Sequence, residues 1–309
     1  MNVLIVKLGA TGDVVRTTPL LRRLKGKVTW VTSAKNRTLL EGLCGSNAEL
    51  HVLSWEERSQ IAGASFDLAI NLEDDLETAA LLKSVRYDRL FGAYANGTGE
   101  MKYTEDARRW FDLSLISVHG RQQADALKFQ NRHNYQELIF QGLGLGFQGE
   151  QYLLPPTKES PLRGDVAIAP EAGAVWPMKK WAHFDRLKSE LESCGLKVNV
   201  LPTRPTLLEH LADVRGHRCL ASGDSLPMHL ALGSGVKCVA LFTCTSPWEI
   251  YEYGLLTKIV SPLLGEFFYQ RGFDRRATTA IPFDEVLAAI LQQIKEASRR
   301  PGAFARCKP

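Results

Sequence analysis

The stretch VKLGATGDVVRTTPLL, residues 6–21, decides how the rest of the chain is read. It leaves a short apolar run, NVLIVKL (2–8), turns through Gly9 and Gly12, and delivers Asp13 to the mouth of a segment that reads as a helix. A continuous apolar run of this length suits a central strand of a parallel sheet, buried on both faces. The helix follows because Val14, Leu20, Leu21 and Leu24 recur among polar residues up to Gly26. Pro19 has no N–H to give, which predicts an early kink. Asp13 thus occupies a place where phosphates usually bind. As an N-cap or first-turn carboxylate it complements the helix dipole. The same dipole keeps it ionised, the state a general base needs, so both roles stand open.

The alternation continues outward from this stretch. KVTWVTS (27–33), ELHVLS (49–54) and FDLAINL (66–72) read as strands, with RTLLEGL (37–43) and ETAALLKSV (77–85) as helices. Residues 100–145 are richer in helix formers and basic residues, and paired glycines stop the helix of NYQELIFQGLGLG (134–146). LLPPTKESPLRGD (153–165), with three prolines, reads as a linker. Beyond it the alternation restarts. DVAIAP, LKVNVLP, RCLAS and VKCVALF read as strands, and WAHFDRLKSELESCG, PTLLEHLADV and SLPMHLALGSG as helices. A closing helix over 282–300 carries Val286, Ile290 and Ile294 at helical spacing, and PGAFARCKP (301–309) reads as a frayed tail. Two α/β domains are expected, 1–155 and 164–309, each doubly wound, with ligands outside the carboxyl ends of the strands.

Bulk properties agree with two such domains. The 309 residues are 45% hydrophobic and 23% charged, as in a soluble globular protein. A net charge of +4 gives no ground for nucleic-acid binding, though it favours acidic ligands. Cys44, Cys194, Cys219, Cys238, Cys244 and Cys307 lie far apart with no C-x-x-C pair, which suits reduced, mostly buried thiols in the cytoplasm. The first apolar run is too short for a secretory signal. No apolar run approaches the roughly 20 residues of a membrane span, so any membrane contact is expected to be peripheral.

Four loops can carry chemistry. G-A-T-G-D (9–13) is not G-x-G-x-x-G, and no acidic residue closes the strand WVTS to grip a ribose, so a dinucleotide reading loses both supports. PEAGAVWPMKKWAHF (170–184) runs through Gly173 and presents Lys179 and Lys180 before a helix, where a lysine can reach a phosphate or simply cap in solvent. In SGDSLPMHLALGSG (222–235), Asp224 or Ser225 can cap a helix, with Pro227 in its first turn and Gly233 or Gly235 at its end. Its amides could meet a diphosphate, and His229 lies one turn in. FTCTSPW (242–248) reads as a strand entering a Ser-Pro helix start, with Thr245 and Ser246 as hydroxyl donors. EDD (73–75) is expected to be a solvated helix start rather than a metal motif. Arg108, Arg109, Arg121, Lys128, Arg132 and His133 form a loose basic region, either a solvated face or a surface for an anionic acceptor.

Taken together these stretches resemble glycosyltransferase family 9, the ADP-heptose:lipopolysaccharide heptosyltransferases. LIVKLGATGDVVRTTPLL is similar to that family's opening strand, turn, aspartate and proline-containing helix. KKW (179–181), GDSLPMHLA and LFTCTSP match its later elements in order. Leu226 stands where the family has glycine, and Thr243-Cys244 where it has Gly-Pro. The resemblance implies a GT-B architecture, two Rossmann-like domains facing across a cleft, the N-terminal one for the acceptor and the C-terminal one for the nucleotide sugar. It implies inversion without a required metal and without a cofactor, ADP-heptose being the co-substrate. Asp13 falls on the catalytic aspartate and Lys179 on the diphosphate-binding lysine. Asp224, Ser225, His229, Thr245 and Ser246 fall on the donor side, and Lys7 and Gly12 on the acceptor side. The implied acceptor is an anionic glycan or glycolipid, lipopolysaccharide core by default; a protein or small-molecule acceptor, or a nucleotide-sugar epimerase, is the alternative. The implied location is cytoplasmic, with peripheral contact at the inner membrane left open.

Overall fold

The computed structural model describes residues 1–43 and 45–299. Cys44, Cys307, the last residue of the expected closing helix and the expected tail at 301–309 lie outside the described residues. The chain divides into two compact units, Met1–Pro155 and a second that begins at Pro156. This boundary falls inside the expected linker. The linker's first residues are not exposed, however: Leu153 and Leu154 are buried, as is Tyr152 before them, and the Leu153 amide donates to Thr18 Oγ1 at 2.8 Å.

The first unit holds β1 (Asn2–Val6), β2 (Gly26–Thr32), β3 (Ala48–Ser54), β4 (Ser65–Asn71), β5 (Arg86–Ala95) and β6 (Met101–Tyr103). Their order is β3-β2-β1-β4-β5-β6. All neighbours are parallel except β6, which runs antiparallel to β5. β1 is central, and its side chains serve two cores in alternation. Val3 and Ile5 pack with Trp30, Ile70 and Phe91, and Leu4 and Val6 with Val31, Ala69 and Leu82. This two-sided burial is why the strand reads as an unbroken apolar run.

The second unit holds β7 (Gly164–Ala169), β8 (Val198–Val200), β9 (His217–Gly223), β10 (Lys237–Phe242) and β11 (Leu256–Val260). Their order is β11-β10-β9-β7-β8, all parallel. The closing helix, Phe283–Arg299, lays Val286, Ile290 and Ile294 into the core that also holds Val239, Leu241 and Ile259. Strand order reverses between β1 and β4 in the first sheet and between β7 and β9 in the second. Those reversals, at the carboxyl ends of the strands, are where open α/β sheets take their ligands.

Several local expectations need correction. The opening helix is Thr11–Thr17, and at Thr18 it tightens into a 3₁₀ turn, Thr18–Arg22, that contains Pro19. Gly26 opens β2 rather than stopping a helix; a Cβ there would lie 2.3 Å from the Met1 carbonyl oxygen. The second helix, Ala34–Leu40, starts earlier than the apolar pattern of 37–43 suggested. No helix follows FTCTSPW. Residues 243–247 are buried one after another, and a stretch without an exposed face has no helical period to follow. Among the described residues, no helix is long and apolar enough to cross a membrane.

Candidate functional site

In the first unit the opening loop joins β1 to the helix Thr11–Thr17, and it is pinned from both sides. Glu73, just past β4, accepts from the amides of Leu8 at 2.6 Å and Gly9 at 3.1 Å. The same carboxylate oxygen lies 3.0 Å from Lys7 Nζ. From the other side the wholly buried Asn36 donates to the Leu8 carbonyl and accepts from the Thr11 hydroxyl, both at 2.7 Å. Glu73 is therefore not a solvated helix start; of the EDD triplet only Asp75 behaves so, capping the helix Leu76–Lys83 by accepting from the Thr78 amide at 2.9 Å.

Asp13 lies in the first turn of its helix, whose N-cap is Ala10. Its carboxylate pairs with Arg16 Nε at 3.0 Å and keeps 35% of its side-chain surface exposed. Arg16 is nearly buried, with its guanidinium 4.1 Å from the centre of the Tyr135 ring and 5.9 Å from that of Trp110. The Tyr135 hydroxyl meets Thr17 Oγ1 at 2.7 Å. Burial pushes that phenol up. Burial opposes the Lys7 ammonium, but the carboxylates of Asp13 and Glu73 outweigh it and hold the lysine above its ordinary value. Gly12 sits beside Asp13 in the same turn. Sequence reasoning missed Glu73, Arg16 and Tyr135. Only Arg16 carried a local signal, its spacing of three from Asp13 on a helix.

Part of the basic region is paired with neighbouring carboxylates. Arg108 pairs with Glu105 and Asp112, Arg121 with Asp125, and Arg109 donates to Gln141 Oε1 at 2.6 Å. His133 lies 3.6 Å from Glu137. These pairs favour the solvated-face alternative for that surface.

In the second unit, Lys179 ends a 3₁₀ turn, Pro177–Lys179, that follows β7. Its ammonium crosses the strand reversal to the end of β9, donating to the Asp224 carbonyl at 2.7 Å and carboxylate at 3.0 Å. Thr245 Oγ1 donates to the same carboxylate oxygen at 2.7 Å. Burial alone would push the Asp224 carboxyl up; the Lys179 ammonium, then His229 and the Thr245 hydroxyl, outweigh it and bring it down to about 2. The single hydroxyl hydrogen of Thr245 is thus engaged by Asp224, and a phosphate could receive it only if that bond opened. Ser225 is the N-cap of the helix Leu226–Gly233, yet neither its side chain nor that of Asp224 caps the helix. Ser225 Oγ turns back to the Gly223 carbonyl at 3.4 Å. His229 is buried in that helix, and the buried Ser246 hydroxyl makes no hydrogen bond among the described residues. One helix mouth is present here rather than the two expected.

No family model matches the chain, and no curated protein sequence matches it. Solved structures do. The glycosyl transferase family 9 structure from Veillonella parvula DSM 2008 matches with a TM-score of 0.64 at 17% identity, covering 96% of this chain and 97% of that one. E. coli heptosyltransferase WaaC with ADP matches with a TM-score of 0.56 at 15% identity, covering 97% of this chain and all of the other. E. coli ADP-heptose lps heptosyltransferase II gives 0.53 at 15% identity, over 96% of this chain and all of that one. The chain has the GT-B fold of these glycosyltransferases.

Within this GT-B chain the departures from the family pattern have local causes. The Thr243 hydroxyl donates to the Met178 carbonyl at 2.6 Å and so fixes the turn that carries Lys179. Cys244 is buried against Met178, Phe267 and Ala277, and burial pushes its thiol up. Leu226 is the first residue of its helix and is partly exposed. Gly223 is required by contact: a Cβ there would lie 2.7 Å from the Lys179 carbonyl oxygen. Gly223→Ala is therefore expected to displace the Lys179 turn, at a cost of about 1–3 kcal/mol in urea unfolding. It should also weaken nucleotide affinity measured by calorimetry.

Proposed function

We propose that the protein is an inverting glycosyltransferase that moves a sugar from a nucleotide sugar to an acceptor hydroxyl. ADP-heptose is the first choice of donor and lipopolysaccharide core the first choice of acceptor, in the cytoplasm or at the inner membrane surface. The observation that carries this reading is a lysine–carboxylate pair at the strand reversal of each sheet, Lys7–Glu73 and Lys179–Asp224. Such a pair organises charge where these sheets take ligands. Asp13 is near enough to the first pair to act on the Lys7 charge and has a partly exposed carboxylate.

In this reading the second unit binds the donor. Lys179 and the amides at the mouth of Leu226–Gly233 face the diphosphate, and the hydroxyls of Thr245 and Ser246 join them once the Thr245 bond to Asp224 opens. Asp224 holds the lysine, and Asp224 and His229 serve the donor hydroxyls. The acceptor oxygen attacks the anomeric carbon as the bond to the diphosphate breaks. Asp13 takes the proton, and the charge that grows on the leaving diphosphate is met by fixed donors. Inversion follows from a single displacement. Lys7 and Gly12 serve the acceptor side, Lys7 by steering Asp13 rather than by touching the acceptor, since it is buried.

A panel of nucleotide sugars tests the donor assignment by thermal shift. A ligand at 100 times its dissociation constant adds about 2.7 kcal/mol, and ADP-sugars are expected to exceed UDP- and GDP-sugars. Stabilisation by none of them would remove the reading. Turnover of the sugar without any acceptor would instead identify an epimerase.

A further inference from the structure

We propose that Glu73 is a positioning residue for Asp13, acting through Lys7 and the Leu8–Gly9 turn; the proposal rests on the reading of Asp13 as the base. Three donors converge on Glu73 Oε1: Lys7 Nζ at 3.0 Å, the Leu8 amide at 2.6 Å and the Gly9 amide at 3.1 Å. Leu8 packs against the core on one face of β1, but a Cβ at Gly9 would meet no atom within 4 Å, so packing does not hold the turn at Gly9 itself. The loop before Asp13 hangs on Glu73 from β4 and on Asn36 from the helix Ala34–Leu40. Asn36 is neutral and fixes shape alone. Glu73 fixes shape and charge.

The charge matters because of what surrounds Asp13. Arg16 lies on its own helix, Lys7 at the end of β1, Tyr135 on the helix Tyr135–Gly142, and Glu73 beyond β4. Two cations beside a lone carboxylate would hold its proton affinity too low for a useful base. With Glu73 the charges alternate, from Glu73 to Lys7 to Asp13 to Arg16, and the pull of Lys7 on Asp13 is offset. The second unit repeats the device, with Asp224 offsetting Lys179 across its own strand reversal.

The test uses the full chain with Glu73→Gln and Glu73→Ala. Hydrogen exchange at the Leu8 and Gly9 amides and the carboxyl ¹³C titration of Asp13 need no substrate; kcat and KM are read separately. Glu73→Gln keeps an accepting oxygen, so amide protection should persist while Asp13 titrates at lower pH. Its kcat should fall about tenfold at unchanged KM for the nucleotide sugar. Glu73→Ala should also lose the amide protection and about 10² in kcat, the scale of a misplaced reacting group. Unchanged protection in Glu73→Ala, or an unmoved Asp13 titration and kcat in Glu73→Gln, would overturn the proposal. The same exchange and titration changes in a protein that transfers no sugar would uphold the hold on Asp13 and remove only the glycosyl-transfer reading.

Discussion

Asp13→Asn is expected to lower kcat for sugar transfer by about 10² to 10⁴, the range for loss of a general base, while the fold and nucleotide-sugar affinity stay as they are. The side chain is one-third exposed and belongs to the first unit. The loss of its ion pair with Arg16 should therefore cost about 1 kcal/mol or less. Arg16 keeps its place without Asp13, because its guanidinium lies on the Tyr135 ring and its carbonyl accepts from Gln136 Nε2 at 2.7 Å. Asparagine has the shape of aspartate but cannot take the proton, so the substitution separates basicity from packing. Released ADP gives the rate, calorimetry the affinity and urea unfolding the stability. Full transfer by Asp13→Asn would put the base elsewhere. Loss of affinity and stability together with the rate would make Asp13 a structural group.

What the sequence yielded about this site follows from how far apart its parts lie. Asp224 directly follows β9, and Asp13 and Lys179 come within about ten residues of the ends of β1 and β7; a strand–turn–polar pattern is a local signal. Glu73 is 66 residues from Lys7, and Tyr135 is 118 from Thr17; pairs made by sheet topology leave no mark in any short window. The strands divide in the same way. Central β1, β4, β7 and β10 are covered on both faces and stand out as apolar runs. β5 was missed because its first half, Arg86–Arg89, is polar and exposed, and β11 because it is a short, partly exposed edge strand. Ser246-Pro247 mimics a helix start in composition, but Tyr253 at φ 52° and Gly254 at φ 66° show the following chain turning through left-handed backbone instead.

Lys179→Ala should lower both stability and nucleotide affinity, and Asp224→Asn allows the two losses to be separated. The two charged groups are 3.0 Å apart, with only 16% and 14% of their side chains exposed. Removing the lysine leaves a buried carboxylate held only by Thr245 and His229, at a cost of about 2–4 kcal/mol at pH 7. Adding Asp224→Asn to Lys179→Ala should restore much of it. The pH dependence gives an independent check. The Asp224 carboxyl is held at about 2 in the folded protein, below its unfolded value near 4. Its contribution, about 2 kcal/mol, is therefore present in full above about pH 4 and is lost as pH falls towards about 2. In Lys179→Ala the folded value rises, so this part of the acid loss should shrink or reverse in urea unfolding across that window. For ligand binding the two substitutions should diverge. Lys179→Ala removes a cation from the diphosphate and should weaken ADP by about tenfold or more, the scale of one charge-assisted contact. Asp224→Asn leaves that cation unopposed and should bind bare ADP at least as tightly as the unaltered protein. Equal losses in both would mean that the diphosphate does not rest on Lys179.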